Sequence, residues 1–290
     1  MNTKLKPYLL LIPVMTIILG IFTFGLAMGL AQSFGYFPAI GLKDFTLKYY
    51  MEILTDKGFL SSLKFSLYIS IVSSILAVII GVALAYSILQ SKHKKGIEEI
   101  VYKLPIIIPH TVAVLIVYNI LAQSGILPRI LFHLGLIHDQ SQFPSMLFDK
   151  SGIGIIITYL WKEIPFIAMV VYTVLSNISN KLSEVALNLG ASKRQVFWHV
   201  LLPLVMPSII SSFIIIFAFS FGAFEVPYLL GPTAPKTLPV EAYIEYTNPN
   251  LANRPYAMVI NMILTFFSLV LIWLYQKTFK LISKYSGGYR

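Results

Sequence analysis

Lys162 and Glu163 stand side by side in a run of 25 residues, Gly152 to Ser176, that holds no other Lys, Arg, Asp or Glu. An ionised side chain in hydrocarbon costs about 2.5–3.5 kcal/mol on insertion scales, so such groups are paired, hydrated or used. Adjacent helical positions point about 100° apart, so the two do not satisfy one another and each needs its own partner or water. The chemistry they offer is non-covalent. Glu163, together with Glu225, is placed to attract a cationic solute. Pro165, close behind, is positioned to kink the helix. Asn119, beside Tyr118, has the hydrogen-bonding groups to meet a passing solute or to bridge two helices. A second group of interest is EVALNLGASKRQVFWHVLLPLVMPSI, Glu184 to Ile209, in which small residues and the basic side chains Lys193, Arg194 and His199 separate two apolar stretches.

Bond-making chemistry is absent by motif. No G-x-x-x-x-G-K-[ST] occurs, so a nucleotide must be hydrolysed elsewhere if it is used at all. There is no H-E-x-x-H and no G-x-S-x-G, and His93, His110, His133, His138 and His199 are scattered rather than at ligand spacing. Without cysteine, neither disulfides nor thiolate metal sites are available. No metal site is expected, and no cofactor bound directly.

The elements that position these groups are dictated by composition. Hydrophobic residues are 57% and charged residues 12% of 290 positions, which points to lipid as the solvent. Six stretches of spanning length result, at about 8–31, 65–90, 104–122, 152–176, 200–224 and 256–276. The first reaches about 36 Å as a helix against a hydrocarbon core of about 30 Å. Its apolar body exceeds the roughly 7–15 residues of a signal peptide, so it reads as an uncleaved span. The expectation is an all-α membrane protein, one domain over residues 1–290. With both termini in the cytosol, the inner segments carry 13 Lys and Arg and the longer outer segments 7, as the positive-inside rule requires. The net charge of +10 then follows from topology and anionic lipid, with no nucleic acid needed.

Small residues at four-residue spacing, Gly25 and Gly29 in the first span and Ser73, Ala77, Gly81 and Ala85 in the second, suit close helix packing within the chain or at a dimer interface. Six prolines between Glu225 and Pro255 keep that outer segment from being one regular helix; it reads as a cap, a docking surface or a plain connection. Within the cytosolic loop, about 179–199, Asn180 is placed to cap a short helix with an apolar stripe of Leu182, Val185, Ala186 and Leu189. Gly190 ends that helix in the left-handed conformation, and Ser192 with Gln195 has capping-box spacing for the next.

At these residues the chain resembles a known family. The pattern Glu-Ala-Ala, three residues, Gly, nine residues, Ile-x-Leu-Pro marks the permease subunits of binding-protein-dependent ABC importers of the type I fold. Here it stands as Glu184-Val185-Ala186, Gly190 and Val200-Leu201-Leu202-Pro203, with valine at two positions. FGAFEVPYLLG and Asn253-Arg254-Pro255 are similar to the branch that carries polyamines, ferric iron, thiamine, phosphonates or related solutes. The resemblance implies a multi-pass protein of the bacterial cytoplasmic membrane with no catalytic activity of its own. It also implies a separate ATPase dimer holding ATP and Mg, a second permease copy or paralogue, and a periplasmic or extracellular solute-binding protein. Glu184, Ala186, Gly190, Ala191 and Ser192 would couple to the ATPase, and Glu163, Lys162, Asn119 and Glu225 would line the path. Two other readings compete. A secondary transporter would run on an ion gradient. An intramembrane prenyl-protein protease would use Glu98-Glu99, although Lys103 stands where that family has arginine and the surrounding Lys92, Lys94 and Lys95 suit solvated charges.

Overall fold

In a computed structural model the residues described are 6–91 and 103–286, and among them the regular structure is helical apart from one isolated bridge between Phe37 and Leu42. The Glu98-Glu99 pair and the run Lys92 to Lys95 lie outside the described residues. Six helical segments are long and apolar enough to cross a membrane, one for each apolar stretch: Leu10–Ser33, Lys57–Gln90, His110–His133, Ile153–Asn177, Lys193–Gly222 and Leu251–Lys277. The chain divides into two compact units, Met1–Leu60 with Leu238–Phe266, and Ser61–Thr237 with Phe267–Arg290.

In the first unit, helix α1 (Lys6–Ser33) exposes apolar side chains on every face from Leu10 to Leu26. A helix apolar all round is stable only against lipid or other helices. Packing begins at Gly29, where an added Cβ would lie 3.4 Å from Met262; at Gly25 nothing stands within 4 Å. Of this small-residue stripe, only the second glycine is used within the unit. Helix α2 (Lys48–Thr55) is held to the end of α1 by the Ser33 and Tyr50 hydroxyls, 2.9 Å apart.

The second unit is built on α3 (Lys57–Gln90), whose first turn belongs to the first unit, and on α4 (His110–Leu121), α5 (Ile126–His133), α6 (Ile153–Asn188), α7 (Lys193–Val196), α8 (Leu202–Gly222) and α9 (Glu225–Leu230). Beyond it in sequence, α10 (Leu238–Thr247) belongs to the first unit, and α11 (Arg254–Ser286) begins in the first unit and ends in the second. Two apolar clusters make the core of the second unit. One gathers Phe65, Ile69, Val117, Ile155, Tyr159 and Val226; the other gathers Ala77, Ala85, Ile167, Leu175, Val196 and Val205. The stripe on α3 is buried packing surface. A Cβ on Gly81 would come within 2.7 Å of Ile167 Cβ, so glycine there lets α3 approach α6 closely.

Two expectations about the helices change. The stretch 104–122 is not one helix, because helical turns at 103–107 stop before Pro109 and α4 starts at His110. Pro109 has no N–H for the Pro105 carbonyl four residues back, and its ring collides with that group. The second change is larger. No short helix begins at Asn180; α6 runs unbroken for 36 residues through Asn180 to Asn188, about 54 Å. No glycine or proline stands between Pro165 and Gly190 to stop it, and helix propagation is favourable once nucleated.

Candidate functional site

On α6, Tyr159, Glu163 and Ile167 follow one another at four-residue spacing, so they share a face. Tyr159 belongs to the first apolar cluster and Ile167 to the second, which puts Glu163 on the seam between them. Glu163 is 5% exposed. The Ser220 hydroxyl, from α8, donates to Glu163 Oε1, while Oε2 is buried with no hydrogen-bond partner. The Tyr159 hydroxyl is likewise buried and unpartnered, as is Ser74 Oγ on α3. Its neighbours in the α3 serine row are satisfied locally: Ser66 Oγ donates to Ser62 O at 2.9 Å and Ser70 Oγ to Ser66 O at 2.7 Å. A buried carboxylate facing one hydroxyl and no cation is an incomplete electrostatic arrangement, and it invites a positive charge or a proton.

Lys162 does not supply that charge. Its ammonium donates to Pro105 O at 3.0 Å and also to Ile108 O. The first of these carbonyls is the one Pro109 leaves without an N–H, so Lys162 repairs the break before α4. Replacing Lys162 with methionine keeps the stem and removes the donor, leaving two carbonyls short of a bond. We expect a loss of about 1–3 kcal/mol, read as a lowered thermal midpoint of the purified protein; an unchanged midpoint would sink the bracing role.

His110, at the start of α4, lies within electrostatic reach of Lys162 and Glu225, and Tyr159 within reach of Glu163 and Glu225. The fold therefore gathers Tyr159, Lys162, Glu163, His110 and Glu225, the last exposed at the first turn of α9. Asn119 stands apart, nine residues further along α4. Its amide donates to Leu115 O in its own helix at 2.8 Å rather than across to another.

The loop after α6 forms a compact corner. Gly190 has φ +90°, its N–H donates to Leu187 O at 2.9 Å, and Ala191 N–H donates to Ala186 O at 3.1 Å. These two bonds are the Schellman ending, in which the left-handed position favours glycine. Ser192 then opens α7 with a reciprocal capping box: Gln195 N–H donates to Ser192 Oγ at 3.3 Å, and Ser192 N–H to Gln195 Oε1 at 2.8 Å. A π-helical turn, Phe197–Leu201, joins α7 to α8, and the Leu202 N–H reaches back five residues to Phe197 O. That wider turn makes room for Pro203, which would otherwise press on the carbonyl of His199. Ala186 and Ala191 pack inward on the second cluster, whereas Glu184, Gly190 and Ser192 face out. So does Leu189, 83% exposed, with Leu182 and Val185 on the preceding turns.

Residues 77–280 match the family described as the binding-protein-dependent transport system inner membrane component. The chain belongs to that family. It is the permease subunit of an ABC importer, a multi-pass protein of the inner membrane. This permease is 26% identical over 243 residues to the spermidine/putrescine transport system permease protein PotB of Escherichia coli, covering 83% of this chain and 85% of the relative. It is also 26% identical over 242 residues to the probable ABC transporter permease protein YurN of Bacillus subtilis, covering 79% and 80%. In fold, the permease resembles a chain of a bacterial ABC transporter that imports the acidic polysaccharide alginate, with TM-score 0.78 and 20% identity over 96% of both chains.

Sequence reasoning passed over several groups in this permease. Ser220 carried no signal, since serine is common in apolar helices and its partner is 57 positions away. In the first unit, a cavity of about 400 Å³ is lined by Glu52, Asp56, Glu241 and Glu245, with the Tyr256 hydroxyl donating to Glu52 Oε2 at 2.5 Å. Its acids come from two segments about 190 residues apart, which spacing within either segment could not reveal.

Proposed function

We propose that this permease, with a second permease chain, forms the path of an ATP-driven importer for a small cationic solute of the polyamine class. Its termini and the loop after α6 lie in the cytosol of a bacterial cell. An external binding protein delivers the solute, and a separate ATPase dimer holds ATP and Mg. The PotB likeness over most of both chains supports the solute class, as does Glu163, a buried carboxylate with an oxygen left unpaired. The outward-facing corner at Glu184, Gly190 and Ser192, flanked by exposed Leu182, Val185 and Leu189, has the small size and apolar rim that suit a cleft on a partner.

The observation that carries the mechanism is the continuity of α6. Glu163 and Glu184 are on the same helix, 21 residues apart, about 32 Å along its axis. A contact that differs between the open and closed ATPase at the corner therefore acts on one continuous helix, with Pro165 inside it, whose other part holds the membrane carboxylate. Such a differential contact is what any ligand-driven shift requires. Glu163 and Glu225 then meet the solute's positive charge, Lys162 keeps the neighbouring helix break intact, and Glu184 pairs with a basic group of the ATPase. Asn119 contributes from α4.

Uptake of labelled spermidine by cells expressing the complete system tests this reading. Expected are saturable uptake, competition by putrescine but not by an anionic phosphonate, and collapse when cellular ATP is depleted with the ion gradient maintained. Uptake that survives ATP loss would overturn the ATP-driven step. Competition by the phosphonate alone would overturn the solute class.

A further inference from the structure

A cavity of about 710 Å³ opens between α3 and the segment running from α7 into α8. Its aliphatic wall includes Val78, Ile79 and Val82 on α3 and Leu202 and Met206 on α8. Its polar groups are confined to one end. There Tyr86 reaches Lys193 O at 3.5 Å, Ser87 Oγ is turned back to Ala83 O at 2.9 Å, and Arg194 is exposed with no ion pair among the described residues. Trp198, 54% exposed, stands beside Phe197, whose ring lies 4.3 Å from that of Tyr86. Along α3 the lining runs from Val78 to Ser87, about 14 Å by helix rise, close to the depth of one leaflet in a core of about 30 Å.

We propose that this groove is a binding site for an anionic phospholipid, with an acyl chain along the aliphatic wall and the headgroup phosphate on Arg194. Three features select that occupant. The groove is apolar along a leaflet's depth and cationic at one end only, which is the polarity of a phospholipid. Tyr and Trp stand at the change-over, where a membrane interface favours their amphipathic rings. Lys193 adjoins Arg194, and its carbonyl is met by the Tyr86 hydroxyl, so a second basic residue borders the groove end. Basic clusters at the cytosolic surface select anionic headgroups, and guanidinium matches phosphate bidentately. The inference rests on the cytosolic placement of the loop after α6 and is independent of the solute carried.

The test uses the assembled importer, purified and exchanged into nanodiscs with equal phosphatidylglycerol and phosphatidylcholine, with retained lipid counted after re-extraction. Phosphatidylglycerol is expected in excess, and Arg194→Gln is expected to lower that excess about fivefold. A photo-crosslinking residue in place of Ile79 is expected to capture phospholipid. Equal retention of the two lipids, or an excess untouched by Arg194→Gln, would overturn the proposal, as would capture of the paired permease or the ATPase at position 79. Because the readout is bound lipid, a different transported solute leaves the result intact.

Discussion

Gly190→Leu abolishes solute uptake while the permease reaches the membrane at its normal level. Gly190 sits at φ +90°, and a Cβ built there meets nothing within 4 Å. The chain itself has room for a side chain, so the penalty within the permease is conformational, about 1–2 kcal/mol for a left-handed non-glycine residue. That is small beside the stability of a bundle with two apolar clusters, and the protein should still insert and fold. The larger effect falls between subunits: a leucine side chain would project from the corner into the space a partner's surface must occupy. Uptake per permease molecule, measured with membrane abundance by immunoblot, is expected to fall to background. Asparagine, which tolerates the left-handed region, separates strain from contact; we expect Gly190→Asn to impair uptake as well. Normal uptake by the leucine variant would refute the coupling role, and full activity of the asparagine variant with loss in leucine would reduce it to backbone geometry.

Glu163→Gln is expected to weaken cation transport selectively. Glutamine is nearly isosteric, retains an oxygen to accept the Ser220 hydroxyl, and removes the charge at the seam between the two clusters. A hydrogen bond to a charged group contributes about 1.5–3 kcal/mol, so the concentration for half-maximal uptake should rise on the order of tenfold to a hundredfold. ATP hydrolysis by the assembled complex and the thermal midpoint should change little, since among the described residues no cation pairs with Glu163. Ser220→Ala should act in the same direction but less, because it removes a neutral donor and leaves the carboxylate. Unchanged uptake kinetics for Glu163→Gln would remove the carboxylate from the solute path. A collapse in thermal stability would assign it to structure instead.

Much of this architecture is legible in local pattern. Hydropathy over some twenty residues reports six spans because the bilayer thickness sets the length of any helix that crosses it. The capping box at Ser192 and the left-handed Gly190 follow from residue type, since both satisfy backbone groups within one turn. The importer family is equally legible, because the Glu184 to Pro203 spacing lies in one continuous segment.

What local pattern could not decide is whatever depends on residues distant in the chain or on competition between local signals. Asn180 is a good cap by type, yet with no breaker before Gly190 the helix propagates through it, and the corner at Gly190 closes the fourth-span helix rather than a separate element. Lys162 reads as a charge in search of a partner; only the fold brings it to the Pro105 carbonyl, 57 positions away. Glu163 reads the same from sequence, and the fold leaves it with one hydroxyl and an unpaired oxygen. The two adjacent residues differ because burial and backbone breaks elsewhere set the polar accounts of each, and those are properties of packed helices rather than of any one of them.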